Sequence, residues 1–555
     1  MPEPTTYLSP LEKLYHWEST SPDNLFLRQP INGRWHEWSW RDAGLEIRKL
    51  AAALQASGLK EGSHIAILSK NCAHWIMADL AIMMAGHVSV PLYPNLTAAT
   101  IQQILEHSEA SMVFVGKLDG WDQMKVGVPQ HVQVVTFPLY GPDAGISWDE
   151  FTLGHQPLEG NIIRANEELA TIIYTSGSTG TPKGVMHKIG NYGFAATNAV
   201  DYIGLQSNER FFSYLPLAHI AERFFVEQGA LYSGGQISFA ESLDSFLDNL
   251  REARPTLFLG VPRIWKKFQE GILTKISQKR LNTLLSIPIL SSFIKNKIRK
   301  GFGFAETRIM YTGASPIPEE LLRWYRKIGF VIAEGYAMTE NFAYSFGSLI
   351  EEARPGFVGH LLDHVDLKFG EDDEIFIRHQ GMMDGYYNDS ELTAATFTED
   401  GYLKTGDRGR LDADGFLKII GRTKEVFKTS KGKYVVPGPI EMKVGDHADV
   451  EMSYVTGEAL PQPIVLITLT ETGKIRKRES MIEELSCHIK KINAQLDAHE
   501  KIGKAVVLED NWTIENNMLT PTLKLKRREI DGRYAVHFEN WFQREELVFI
   551  PSQNS

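Results

Sequence analysis

One stretch gathers the residue types that bind polyphosphate: Tyr174-Thr175-Ser176-Gly177-Ser178-Thr179-Gly180-Thr181-Pro182-Lys183-Gly184-Val185. Its glycines let backbone N–H groups approach a ligand closely. Its serine and threonine hydroxyls add donors, and Lys183 adds a mobile positive charge. An anion can be wrapped by such a set without a buried fixed charge. The spacing differs from the phosphate loop of nucleoside triphosphatases, G-x-x-x-x-G-K-[ST]. Counted from Gly177, Lys183 falls in register, but Pro182 stands where the second glycine belongs and Gly184 where the magnesium-binding hydroxyl belongs. Pro182 has no N–H to offer a phosphate. A Ser/Thr/Gly linker has a similar composition. The preceding run, Glu168 to Tyr174, reads instead as a buried strand that delivers the loop, and the chain returns to structure through Pro182-Lys183-Gly184-Val185.

The elements before that loop alternate. Asn32-Gly33 between Leu25–Arg28 and Trp35–Trp40 marks a β-hairpin. Strands at 63–69, 88–93 and 111–115 are separated by helices at 73–85 and 98–108. That order implies a parallel sheet covered by helices. His74 and Trp75 fit core packing better than ligation. After the loop the same rhythm continues. His219 follows the strand and turn Arg210 to Pro216, at the end of a strand where ligands gather in open α/β sheets. The spacing alone equally suits a structural histidine. A further strand is expected over Pro255 to Trp265, one at Arg308–Thr312 leading into the small turn Gly313-Ala314-Ser315, and one over Phe330–Glu334 leading into Tyr336.

Length and composition set bounds. A chain of 555 residues exceeds one core and implies two or more domains. The net charge of -11 and a pI near 5.9 argue against nucleic acid as a partner. Two cysteines, Cys72 and Cys487, give neither a disulfide framework nor a metal quartet. The start shows no signal-peptide pattern, and the apolar run from Trp75 to Tyr93 is interrupted by Asp79, Gly86, His87 and Pro91. The expected place is the cytoplasm. Residues 266–300 stand apart: nine lysines and arginines, Glu270 as the single acid, and an apolar middle from Leu284 to Leu290. Such a segment either packs as a solvated helical pair or lies on an anionic membrane, the inner face in this case.

The stretch YTSGSTGTPKGV resembles the signature of the adenylate-forming enzymes, a superfamily of acyl-CoA synthetases, luciferases and peptide-synthetase adenylation domains. Further motifs follow in that family's order over nearly the whole chain. Leu215-Pro216-Leu217-Ala218-His219-Ile220-Ala221-Glu222-Arg223, Phe427 to Pro437 and Leu519-Thr520-Pro521-Thr522-Leu523-Lys524 are most similar to the long-chain fatty acyl-CoA synthetases. Gly335-Tyr336-Ala337-Met338-Thr339-Glu340 matches Y-G-x-T-E with Ala337 replacing a glycine.

The resemblance implies an α/β fold: a large N-terminal domain of doubly wound sheet subdomains plus a β-rich part, over residues 1–421, with a small mobile α+β C-terminal lid at 426–555. Residues 422–425 would be the hinge, with Lys424 as pivot. It further implies ATP, Mg2+ and coenzyme A. Thr175, Ser176, Gly177, Ser178, Thr179, Gly180 and Lys183 would hold phosphates. Gly313, Ala314, Ser315 and Tyr336 would line the adenine. Asp407 would accept from both ribose hydroxyls, and Arg422 would contact the ribose or phosphate. Glu340 and Thr175 would hold the metal. Lys524, Thr339, Glu340 and His219 are the implied catalytic residues, Trp265 an implied acyl gate, and Gly432 an implied coenzyme A contact. The expected activity is ligation of a long-chain fatty acid to coenzyme A through an acyl-adenylate. An aryl or shorter-chain acid, transfer to a carrier protein, and a non-catalytic nucleotide-binding relative are the alternatives. Oligomeric state is not legible.

Overall fold

The computed structural model describes residues 7–176, 182–520 and 522–551. Its largest sheet has eight strands. The parallel part runs Leu169–Ser176, Val88–Leu92, His64–Leu68, Met112–Val115, Gln133–Thr136 and Ile146–Ser147. Beyond Leu169–Ser176 the sheet turns antiparallel, adding Pro182–Lys188 and then Gly385–Tyr386. The central strands are apolar because both faces are covered. Ile65, Ala66, Ile67 and Leu68 are all fully buried.

Two smaller sheets continue the architecture. One is ordered Arg210–Ser213, Gln236–Phe239, Leu25–Ile31, Arg34–Ser39, with the expected hairpin turning at Asn32-Gly33. The other is parallel: Leu257–Gly260, Ile309–Thr312, Ala333–Glu334. Thr256 N donates to Arg210 O at 3.0 Å and joins the two edge to edge. Two expectations shift here. The strand after Pro255 stops at Gly260, and Pro262 opens a helix, Pro262–Leu273, because a proline at the first helical position forfeits no hydrogen bond. Trp265 therefore lies in a first helical turn. The strand over 330–334 shrinks to Ala333–Glu334, because only Tyr311 and Thr312 offer it a pairing partner.

A four-stranded antiparallel sheet follows, Asp366–Phe369, Glu374–Arg378, Leu403–Leu411 and Leu417–Arg422. The last 120 or so residues build a separate unit: a sheet of Val450–Thr456, Ile464–Leu469, Lys504–Leu508 and Val548–Phe549, packed by helices Pro437–Gly445, Arg478–Asn493 and Arg527–Phe542. Its two apolar clusters contain no residue before Phe427, so it carries its own core. Among the described residues no helix is long and apolar enough to cross a membrane.

Candidate active site

The stretch expected to hold phosphate is flanked by two antiparallel strands, Leu169–Ser176 and Pro182–Lys188. Thr175 pairs with Lys183 and Ser176 with Pro182, so residues 177–181 connect two antiparallel strands. A proline is tolerated there because it is the first residue of its strand. Gly177, Ser178, Thr179 and Gly180, and the side chain of Ser176, lie outside what the structure describes. Lys183 Nζ stands 5.6 Å from the centroid of the Tyr386 ring. Tyr386 comes from the short outer strand that pairs with Val185 and Met186.

The phenol of Tyr386 then donates to Glu340 Oε1 at 2.8 Å. One aromatic side chain thereby touches both the hairpin lysine and the expected metal carboxylate. Sequence reasoning missed it, since Gly385-Tyr386-Tyr387 sits in no motif; its signal is tertiary. Glu340 is held from behind. His187 Nε2 donates to Thr339 O at 2.7 Å, and Met383 N donates to Glu340 O at 2.8 Å. Burial pushes the His187 imidazole down to about 4, so it is neutral and can serve as that fixed donor. Two successive left-handed residues, Phe342 (φ 50°) and Ala343 (φ 55°), turn the chain away behind Glu340. Such strain persists where the surroundings enforce it, and it concentrates at functional sites.

A second cluster forms around Asp407, which is 6% exposed. Tyr336 donates its phenolic proton to Asp407 Oδ2 at 2.8 Å, and Arg422 Nε donates to Oδ1 at 2.9 Å. Asp407 and Arg422 are cross-strand partners in the antiparallel sheet. Burial, followed by the Asp407 charge, raises the Tyr336 phenol well above its usual range, so it stays a donor. The turn Gly313-Ala314-Ser315 leaves the strand next to the one leading to Tyr336, and Gly335 N donates to Thr312 O at 3.0 Å. Ala314 is left-handed at φ 66°. The two turns form adjacent walls, and a Cβ on Gly313 would come within 3.3 Å of Gly335 O.

Lys524 belongs to the C-terminal unit. Its loop is tied by Thr520, whose N–H donates to Lys524 O at 2.8 Å and whose hydroxyl accepts from Lys524 N at 3.0 Å. Leu523 before it is left-handed at φ 61°. The Lys524 ammonium feels Arg422, Asp407, Glu340 and Glu425, and the crowding of protein around it lowers its pKa. His219 lies close by. Its Nδ1 accepts from Ala221 N at 3.0 Å, and burial, then the Lys524 charge, hold it down at about 3, as a neutral imidazole. Lys183, Glu340, Tyr386, Asp407, Arg422, His219 and Lys524 thus converge from both units on one region.

Other expected residues sit elsewhere. Gly432, left-handed at φ 74°, caps the turn of its own hairpin and hydrogen-bonds Thr429 O. Lys424 is exposed on the short turn Thr423–Glu425 between the last large-domain strand and the C-terminal unit. Trp265 is fully buried. Its indole N–H donates to Gly260 O at 2.9 Å, and Phe258, Phe268 and Tyr325 surround it. Replacing Trp265 with alanine is expected to cost about 3–5 kcal/mol of stability through the cavity left behind. A thermal melt checks it; an unshifted midpoint would mean the ring contributes no packing.

The chemistry of Glu340 suits magnesium, which takes one or two carboxylates and otherwise phosphate oxygens and water. Its Oε2 has no protein partner among the described residues. A different cluster, His447, Asp449 and Glu484, has its ligand atoms within 4.8 Å of one another. That one is already neutralised: Arg476 Nη1 reaches Asp449 at 2.6 Å and Glu484 at 3.0 Å.

Comparison with known proteins gives the class. The AMP-binding enzyme family matches residues 14–387, and the AMP-binding enzyme C-terminal domain matches residues 424–546. The chain belongs to the AMP-binding enzyme family. Among its relatives, a long-chain-fatty-acid--CoA ligase of Mycobacterium bovis, FadD15, is 27% identical over 96% of this chain and 96% of its own. Fatty acyl-CoA synthetase A of Dictyostelium discoideum is 28% identical over 90% of this chain and 85% of its own. The crystal structure of the anthranilate CoA ligase AuaEII with anthranoyl-AMP superposes with a TM-score of 0.80 at 19% identity, covering 96% of this chain and 99% of that one.

Proposed function

We propose that this chain is an AMP-forming ligase that joins a long-chain fatty acid to coenzyme A. The observation that carries the reading is the arrival of Lys524, from the C-terminal unit, among Glu340, Asp407 and Arg422 of the large one. The relatives named above support the acyl class, and the motifs around His219 and Lys524 support the long chain.

In the first half-reaction a carboxylate oxygen of the acid attacks the α-phosphorus of ATP. An O–P bond forms, the bond to the β-phosphate oxygen breaks, and pyrophosphate leaves. Lys524 places its ammonium between carboxylate and α-phosphate, lowering the repulsion of two anions. The hairpin donors and Lys183 hold the outer phosphates. Asp407 exchanges its bonds with Tyr336 and Arg422 for the ribose diol, which frees the Tyr336 ring to face the base. A magnesium ion held by Glu340 would neutralise charge on the phosphates, and Tyr386 fixes the carboxylate that would carry it. Catalysis here is positioning and charge stabilisation. In the second half-reaction the coenzyme A thiolate attacks the acyl carbon, a C–S bond forms, the acyl C–O bond to the phosphate breaks, and AMP leaves with that oxygen and its electron pair. That step requires Lys524 to withdraw, through rotation about Lys424, and the hairpin bearing Gly432 to approach. His219, neutral and beside Lys524, lines the acyl side. Trp265 serves as gate only by giving up its bond to Gly260 O.

The experiment is a series of saturated fatty acids of increasing length, together with aryl acids, assayed with ATP and coenzyme A for AMP release and thioester formation. Preference for long chains is expected; preference for an aryl acid overturns the substrate assignment.

The arrangement seen here is latched. Lys266, on the helix Pro262–Leu273, donates to three carbonyls of the C-terminal unit: Gly445 and His447 at 3.2 Å and Val450 at 3.0 Å. Arg263 pairs with Glu451 at 3.1 Å. Charged hydrogen bonds contribute about 1.5–3 kcal/mol each to stability. Lys266→Ala is therefore expected to slow adenylation about tenfold or more, while thioester formation from supplied acyl-adenylate keeps its rate. Equal slowing of both would show that the latch does not select between arrangements.

A further inference from the structure

We propose that the corner between the helices Gln278–Leu285 and Pro288–Phe302 docks on a bilayer surface carrying anionic lipid headgroups. The proposal is independent of which acid is ligated. Residues 271–300 contain seven lysines and arginines and no acid, in a chain of net charge -11. The helix Pro288–Phe302 buries none of its residues. Its inner stripe, Ile294, Ile298 and Phe302, only rests against the aromatic core. Its outer stripe is apolar and open: Ile289 is 89% and Phe293 62% exposed, and Ile287 at the corner is 49% exposed.

The structure also sorts the cations. Arg299 belongs to the fold. Its guanidinium donates to Gly329 O at 2.9 Å and Thr307 O at 2.5 Å and covers the Phe330 ring at 5.1 Å. The Lys295 stem runs along Gly329. By contrast, Lys275, Lys279, Arg280, Lys297 and Lys300 are exposed, and none has a side-chain ion pair or hydrogen bond to a described residue. Gln278 anchors the first helix by accepting from Trp324 Nε1 at 2.8 Å, so the corner is held firmly while its outer face stays uncovered. Protein interfaces are depleted in lysine. Lysines beside exposed isoleucine and phenylalanine instead match a headgroup region, with apolar side chains entering the acyl boundary and ammonium groups on the phosphates.

The test is co-sedimentation of the full chain with phosphatidylcholine vesicles, with and without phosphatidylglycerol. Wild type should sediment with the anionic vesicles and be released only in part at high salt. Lys297→Gln with Lys300→Gln should lower the partition coefficient about 30-fold, from about 1 kcal/mol per cation near an anionic surface. Ile289→Ser with Phe293→Ser should abolish salt-resistant binding, and Lys490→Gln with Lys491→Gln, exposed on another helix, should change nothing. Thermal melts confirm that the variants fold. Wild type that ignores anionic vesicles, equal binding to uncharged ones, or unchanged partition of both corner variants overturns the proposal. So does a dimer in sedimentation equilibrium that Phe293→Ser converts to monomer, which would make the corner an interface between copies.

Discussion

Lys524→Ala is expected to abolish measurable acyl-adenylate formation while leaving thioester formation from supplied acyl-adenylate near its wild-type rate. Loss of one preorganised charge contact typically costs on the order of 100- to 1000-fold. Lys524 should lie at the upper end, because Asp407 and Glu340 of the large domain favour its charge where Arg422 opposes it. Pyrophosphate release measures the first half and thiol consumption the second. Lys424→Pro should give the converse pattern, since proline fixes φ at the proposed pivot. Equal loss of both halves in Lys524→Ala would remove the lysine from its proposed role. The two backbone contacts of Lys524 with Thr520 do not involve the ammonium, so the variant should keep its fold.

The second large effect concerns stability. Arg223 is completely buried and binds both oxygens of Asp79 at 2.5 Å, Thr171 Oγ at 2.8 Å and Ser89 Oγ at 3.0 Å. Burial opposes its charge, and Asp79 more than restores it. This clamp joins the helix Ala73–Met84 to the strands Val88–Leu92 and Leu169–Ser176, the second of which forms the hairpin with Pro182–Lys188. Asp79→Ala leaves a buried cation whose remaining ion-pair partner is Glu227, at 3.4 Å. A cost of about 3–5 kcal/mol is expected. Thermal unfolding of the large domain should fall on the order of 10 °C. Asp79→Leu combined with Arg223→Met should recover much of it, because an apolar pair leaves no orphan charge. A single variant as stable as wild type would show that water, rather than the carboxylate, balances Arg223. Arg223 and Glu222 lie in and beside a π-helical segment, Arg223–Gln228, right after His219, which connects the clamp to the site.

The sequence alone determined the hairpin at Asn32-Gly33, the strands and helices between 63 and 115, and the family, because those rest on local patterns: period, turn residues and contiguous motifs. It also supplied the residue types proposed for phosphate, diol and metal. Tertiary structure decided the partnerships. Tyr386 joins Lys183 to Glu340 only because a two-residue strand from far along the chain pairs beside the hairpin of Leu169–Ser176 and Pro182–Lys188, a contact no local spacing encodes. Lys266 read as one cation in a basic run, and only the docked C-terminal unit made it a latch. Arg299 looked like its neighbours Lys297 and Lys300 until the fold turned it inward to two carbonyls. Local sequence specifies backbone preference and chemistry, whereas the sharing of one carboxylate or one ammonium between distant segments is settled by packing, where burial removes water and leaves each polar group to the partner the fold supplies.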